Sequence, residues 1–196
     1  MSISVRDVND INFNDLISVC TPVVKDDIAR RSVEIKRDWV LNMLNKYGSV
    51  AKIGYFNDEP VAQLLYYPTI ADPIIRGRDN VLIIHCIYNR VPRAQCKGIA
   101  KALFRSLLSD IKNEGRYKFI ITHAFATGEF MSQKDFFLRI GFKKIPGIND
   151  DEYLYYSVYG DELRDYKEVL SYWDEYHAEY EPLDEDRGAE TFIRVG

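Results

Sequence analysis

The apolar run Val81-Leu82-Ile83-Ile84-His85-Cys86-Ile87-Tyr88 restricts this chain more than any other stretch. A run this rich in β-branched side chains suits a strand buried on both faces. Pro92 has no N–H and cannot extend a ladder, so the strand is expected to end before it. After Gly98, apolar residues recur at Ile99, Leu103, Leu107, Leu108 and Ile111, which is helical spacing. A glycine where a loop becomes a helix admits positive φ and the close approach of a ligand. The first N–H groups of a helix have no intrahelical partner, and the dipole is positive at that end. Strand, loop and helix therefore form a cradle for a phosphorylated ligand, with Arg93, Lys97 and Lys101 adding positive charge.

The spacing Gln95-x-x-Gly98-x-Ala100 resembles the Q/R-x-x-G-x-G/A signature of the GNAT superfamily of acyl-CoA-dependent N-acyltransferases. Three further stretches follow in the family's order. Tyr117–Phe125 reads as the next strand. Phe136-Phe137-Leu138-Arg139-Ile140-Gly141-Phe142 looks like the last helix running into a Gly-Phe turn. Tyr153–Tyr159 looks like a closing strand, so the ordered match covers residues 48–160. The resemblance implies an α/β GNAT-like acyl-CoA N-acyltransferase fold, a mixed central sheet with splayed parallel strands flanked by helices. It also implies acetyl-CoA as co-substrate, bound where Val81–Tyr88 and Tyr117–Phe125 part. A bulge in the first of these strands would free backbone groups for the pantetheine, and Asn89 and Arg90 fit a disturbed strand end. By the same resemblance the backbone from Cys96 to Ala100 holds the pyrophosphate. The cofactor set is then Tyr88, Gln95, Cys96, Lys97, Gly98, Ile99, Ala100, Lys101 and Phe137.

Composition narrows the class. With 196 residues, 46% hydrophobic and 29% charged, the chain suits one globular domain. No apolar run reaches the roughly 18–20 residues that span a bilayer. The first residues, Met1-Ser2-Ile3-Ser4-Val5-Arg6-Asp7, lack the apolar stretch of a signal peptide. Cys20, Cys86 and Cys96 form neither a disulfide framework nor a zinc spacing. A cytoplasmic protein with free thiols is expected. Residues 150–196 hold 15 Asp and Glu against 4 Lys and Arg, whereas residues 1–149 hold 15 against 22. A cationic body suits an anionic cofactor. Residues 1–160 are assigned to the GNAT-like domain and 161–196 to an acidic extension. Basic residues are dispersed and no nucleic-acid recognition motif occurs. A homodimer through the tail or the last strands is compatible with the chain.

The remaining elements read in order. Ile3–Val8 suits a strand; Ile11, Phe13, Leu16, Ile17 and Cys20 suit a helix stopped by Pro22. A helix is expected over Arg31–Tyr47, with Gly48 after it. Val50–Phe56 and Val61–Tyr67 form a hairpin around the turn cluster Asn57-Asp58-Glu59-Pro60. Thr69–Asn80 is a loop. Ser132 and Asp135 have the spacing of a capping box for a helix Gln133–Ile140, and Phe142–Ile145 reads as a short strand. Leu163–Tyr172 suits a short helix, Glu181–Gly188 an acidic linker and Thr191–Val195 a terminal strand.

Acyl transfer to an amine needs a neutral amine, a donor for the oxyanion and a route for the leaving thiolate. The implied reaction is acetyl transfer from acetyl-CoA to a primary amine, of a small molecule or protein, by direct attack in a ternary complex. A longer acyl-CoA is a variant of the same reading. The family often places a tyrosine acid four residues before the Gly of Gly-Phe; here that residue is Phe137, which cannot donate a proton. His85, Tyr88, His123 and Glu129 are the residues considered for the base, and His85, Tyr88 and Glu129 form the candidate catalytic set. His85 has the titration range for the task. Strict alternation would put Tyr88 on the face opposite His85 unless a bulge intervenes. Cys96, in an electropositive loop, is a candidate for oxidation. The alternative reading is a CoA-binding regulatory or interaction protein without catalysis.

Overall fold

The computed structural model describes residues 1–20, 27–72, 77–124, 131–148 and 152–164. The elements in chain order are β1 (Ile3–Asp7), α1 (Phe13–Cys20), α2 (Asp27–Tyr47), β2 (Ala51–Phe56), β3 (Glu59–Pro68), β4 (Val81–Asn89), α3 (Ile99–Glu114), β5 (Phe119–His123), α4 (Gln133–Arg139), β6 (Lys143–Lys144) and β7 (Tyr153–Ser157). Short 3-10 turns cover Thr69–Ala71 and Pro92–Ala94.

The strands form one sheet of seven in the order β1-β2-β3-β4-β5-β7-β6. All neighbours are antiparallel except β4 and β5. The parallel pair follows from its connection, since β4 and β5 are joined through α3, a right-sized crossover. Strand alternation divides the core into two faces. Phe13 and Leu16 of α1 and Val40 and Met43 of α2 pack on Ile53, Leu65, Tyr67, Val81, Ile83 and Ile121. On the other face, Ile99, Leu103, Phe104, Leu107 and Ile111 of α3 and Phe137 of α4 pack on Leu64, Leu82, Ile84 and Ile120. Burying each of these large side chains is worth about 1.5–3 kcal/mol, so the apolar stripe of α3 fixes the helix to the sheet.

Two features set where α3 begins. Gly54 in β2 lies under Ile99, and a Cβ there would meet Ile99 Cγ2 at 2.5 Å. The missing side chain lets the start of the helix sit close to the sheet. Near the other end of the helix, Lys52 of β2 is 1% exposed and pairs with Asp7 of β1 and Asp110 of α3. A buried ammonium needs such partners, because an unpaired one would cost several kcal/mol. Lys52 thus ties β1, β2 and α3 together.

Several boundaries differ from the sequence reading. The hairpin turn is only Asn57-Asp58, with φ of 50° and 64°, the left-handed pair that a tight two-residue hairpin requires. β3 therefore starts at Glu59 and contains Pro60, opposite Tyr55. α2 starts at Asp27, ahead of Arg31. β6 shrinks to Lys143–Lys144, both exposed. Ser132 accepts a hydrogen bond from Asp135 N at 3.0 Å, as the capping spacing requires. Leu163 is buried against the first core, so the chain is still packed on the domain just beyond residue 160. The rest of Leu163–Tyr172 from residue 165 on, the acidic linker and the terminal strand fall outside the described residues.

Gly54→Val should destabilise the protein by about 1–3 kcal/mol through overpacking against Ile99. Urea unfolding checks this; an unchanged midpoint would mean that α3 does not depend on the close approach.

Candidate functional site

The site begins where a ladder stops. β4 and β5 pair only at Val81↔Phe119, Leu82↔Ile120, Ile83↔Ile121 and Ile84↔Thr122. Among the described residues, β4 continues to Asn89 paired with β3 alone, while β5 ends at His123. The half of β4 beyond Ile84 therefore has, among the described residues, no strand partner on the side of α4. Two side chains attend to backbone oxygens there. Thr122 Oγ1 donates to the Ile84 carbonyl at 3.0 Å, at the vertex. Gln133 Nε2 of α4 donates to the Ile87 carbonyl at 3.2 Å, where the amide of an added strand would donate.

A bulge lies at the same place. Leu65 pairs with Cys86 and Tyr66 with Ile84, so His85 is the extra residue in β4. The disturbance is thus at His85, four residues ahead of the Asn89-Arg90 strand end where the sequence suggested it. The bulge changes which side chains share a face. His85 contacts Tyr67, and Cys86 packs on the same core beneath α1 and α2. Tyr88, two residues on from Cys86, is on that face as well and is 45% exposed. His85 and Tyr88 therefore lie on one side of the sheet, the outcome that strict alternation forbids. His123 is there too, stacked on Tyr153 at 4.4 Å with Nε2 3.5 Å from Glu152 Oε2. Glu129 lies outside the described residues.

Beyond this edge lies the loop that the sequence marks as a candidate anion cradle. Val91 N and Asn89 Nδ2 form short-range bonds, to Asn89 Oδ1 and Ala94 O, that hold the loop. Gln95 Nε2 donates to Asn89 O at 3.1 Å, which folds the loop back on the strand end. Cys96 takes φ +55° and Gly98 φ +86°. No side chain caps α3, and its first helical bond runs from Ala102 N to Gly98 O. The backbone N–H groups of residues 98–101 consequently have no hydrogen-bond partner among the described residues, while Gln95 and Cys96 lie in a hydrogen-bonded turn. Gly98 has nothing within 4 Å of where a Cβ would stand, so the loop is open at that point. Lys97 and Lys101 are exposed beside it. Four donors at the N-terminus of this 16-residue helix, with two lysines beside them, fit a pyrophosphate.

Two expected contacts look different in place. Ile99 has a buried side chain, which leaves only its backbone N–H for a ligand. Phe137 is 0% exposed, enclosed by Phe136 and Phe142. It is part of the core, and contact with a ligand would require that packing to open.

The electrostatics centre on His85. Burial lowers its pKa from the ordinary 6.5, outweighing the Asp72 carboxylate, which raises it; Lys36 lowers it further. Tyr67 OH donates to Asp72 Oδ2 at 3.0 Å and lies 3.4 Å from His85 Nδ1. Gln63, 1% exposed in β3, places Nε2 3.5 Å from Cys86 Sγ, and its Oε1 is buried without a partner. Asp72, Gln63, Thr122 and Gln133 were not singled out from the sequence. Only Gln133 had a local signal, one helical turn before Phe137.

No protein-family model matches the chain, and no curated protein matches its sequence. Solved structures do match. A GNAT family acetyltransferase from Brucella melitensis, in complex with acetyl-CoA, aligns with TM-score 0.54 and 13% identity over 85% of this chain and 94% of its own. The PaiA N-acetyltransferase from Thermoplasma acidophilum, in complex with coenzyme A, gives 0.56 and 14% over 80% and 99%. The loading GNATL domain of CurA from Lyngbya majuscula gives 0.53 and 12% over 81% and 98%. The chain has the GNAT acetyltransferase fold.

Because the folded pKa of His85 lies below 6.5, the unfolded chain binds this proton more readily. The stability that follows is complete above about pH 6.5 and is lost as pH falls from there through the folded value. The stability advantage of wild type over His85→Gln should therefore be larger at about pH 7.5 than at about pH 5.5. Denaturant unfolding of both proteins at the two pH values checks it; an advantage that grows in acid would contradict the buried, neutral histidine.

Proposed function

We propose that this chain is an N-acetyltransferase that moves an acetyl group from acetyl-CoA to a primary amine of a small molecule or a protein. The observation that carries the reading is the adjacency, among the described residues, of a β4 edge without a strand partner and four unpartnered N–H groups at the start of α3. One suits the amides of pantetheine and the other the pyrophosphate, in the order in which they occur along CoA. Solved relatives of the same fold carry acetyl-CoA or coenzyme A.

Acetyl-CoA supplies an activated thioester carbonyl. The chain's own residues align the reactants and handle protons. His85, neutral and beside that β4 edge, takes a proton from the amine as the N–C bond forms and the C–S bond breaks. The bulge removes His85 from regular pairing with β3, making its backbone N–H the candidate oxyanion donor. Tyr88, half exposed on the same face, is our candidate to protonate the leaving thiolate in the role that Phe137 cannot fill. The alternative, a CoA-binding protein without turnover, rests on the enclosed Phe137 where a proton donor would otherwise stand.

Acetyl-CoA at about 100 times its Kd should stabilise the native state by about 2.7 kcal/mol, raising the Tm by roughly 5–10 °C. Gly98→Glu places a charge in the cradle and should abolish the shift. Thiol release with a panel of primary amines then separates the two readings. Turnover that drops about 10²- to 10⁴-fold in His85→Gln supports the enzyme. A thermal shift without thiol release from any amine supports the binder, and no shift in folded wild type ends both.

A further inference from the structure

We propose that Tyr67 and Asp72 are positioning residues that fix His85 as its Nδ1–H tautomer, leaving Nε2 as the ring's only proton acceptor. The consequence for turnover rests on the acyl-transfer reading; the tautomer itself does not.

The argument counts hydrogens. The Asp72 carboxylate can only accept. Tyr67 has one hydroxyl hydrogen, and the 3.0 Å bond to Asp72 Oδ2 uses it. Burial and the Asp72 charge both push the Tyr67 phenol well above its ordinary pKa, so that hydrogen stays on the oxygen. The Tyr67 oxygen therefore presents only lone pairs to His85 Nδ1, 3.4 Å away. A lone pair on Nδ1 would face them without a hydrogen between. A hydrogen on Nδ1 resolves this, and a neutral imidazole then leaves Nε2 bare.

The surroundings hold this arrangement in place. Tyr67 is 1% exposed, and the Trp39 ring of α2 meets it edge-on at 5.3 Å. Asp72 follows a turn pinned by Thr69, whose hydroxyl lies 3.0 Å from the Val81 carbonyl and 3.1 Å from the Arg78 carbonyl and accepts from Arg78 N. Among the described residues, the groups acting on His85 are Tyr67 from β3, Asp72 from the following turn and Lys36 from α2. Burial keeps the ring neutral near pH 7, and the relay decides which nitrogen is bare. Sequence position hides the set, since Tyr67 and Asp72 precede His85 by 18 and 13 residues.

The test needs no substrate. Long-range ¹H–¹⁵N correlation spectra of the full-length, ¹⁵N-labelled protein, recorded well above the His85 pKa, distinguish a protonated from a bare ring nitrogen. Wild type should show a protonated Nδ1 and a bare Nε2. Tyr67→Phe keeps the ring that packs on Trp39, and should move the proton to Nε2 or give a mixture. A protonated Nε2 in wild type overturns the proposal, as does an unchanged tautomer in folded Tyr67→Phe. If Tyr67→Phe is unfolded, the wild-type spectrum still decides. Where an amine is turned over, Tyr67→Phe should lower kcat more than about tenfold with KM for acetyl-CoA little changed, as expected when an imidazole's orienting partner is removed. A protein with the Nδ1–H tautomer and no turnover leaves the relay standing and removes the acyl-transfer reading.

Discussion

Four rungs join β4 to β5, and everything at the site depends on the ladder ending there. A strand in the middle of a sheet normally satisfies its N–H and C=O groups on both sides. An unsatisfied buried group costs about 1–3 kcal/mol. Here the loss is limited by side chains rather than by more sheet: the Thr122 hydroxyl takes the Ile84 carbonyl and the Gln133 amide takes the Ile87 carbonyl. Both are exchangeable partners, unlike a ladder. The bulge at His85 adds to the parting, because the extra residue re-aims the strand and raises local twist. Among the described residues, the fold thus leaves one strand edge inside the sheet without a strand partner.

The second constraint is the depth at which α3 begins. Gly54 lets Ile99 sit against the sheet, and Lys52 holds Asp110 near the helix's other end. With the helix so fixed, its unpartnered N–H groups lie just beyond that β4 edge rather than anywhere along the surface. Neither feature alone identifies a ligand, since helix N-termini are common and edges can be capped. Their adjacency makes a long ligand with amides at one end and phosphates at the other the natural occupant. The excess of Lys and Arg over Asp and Glu in residues 1–149 favours its charge.

Much of this was readable from the chain. Gly98 stood out because a loop-to-helix junction at positive φ favours glycine, whereas Gln95 and Ala100 stood out only through the resemblance. The strands and helices up to residue 160 fall close to where their periodicities put them. The bulge at His85 was misplaced because Leu82 to Ile87 is apolar throughout, and such a run does not reveal which face each residue takes. The same blindness set Tyr88 against His85. Pro60 was assigned to the turn because proline usually marks one; the left-handed Asn57-Asp58 pair closes the hairpin earlier. Tyr67, Asp72 and Gln63 reach His85 and Cys86 only through strand register, which single-chain patterns do not encode.

The most direct measurement is residue-resolved hydrogen exchange with and without saturating acetyl-CoA. Slowed exchange should concentrate at residues 85–89 of β4 and at the amides of residues 98–101, with Gln133 side-chain signals changing as the Ile87 carbonyl takes a new partner. Protection confined to other parts of the chain, with these amides unchanged in a ligand-saturated protein, would contradict the account.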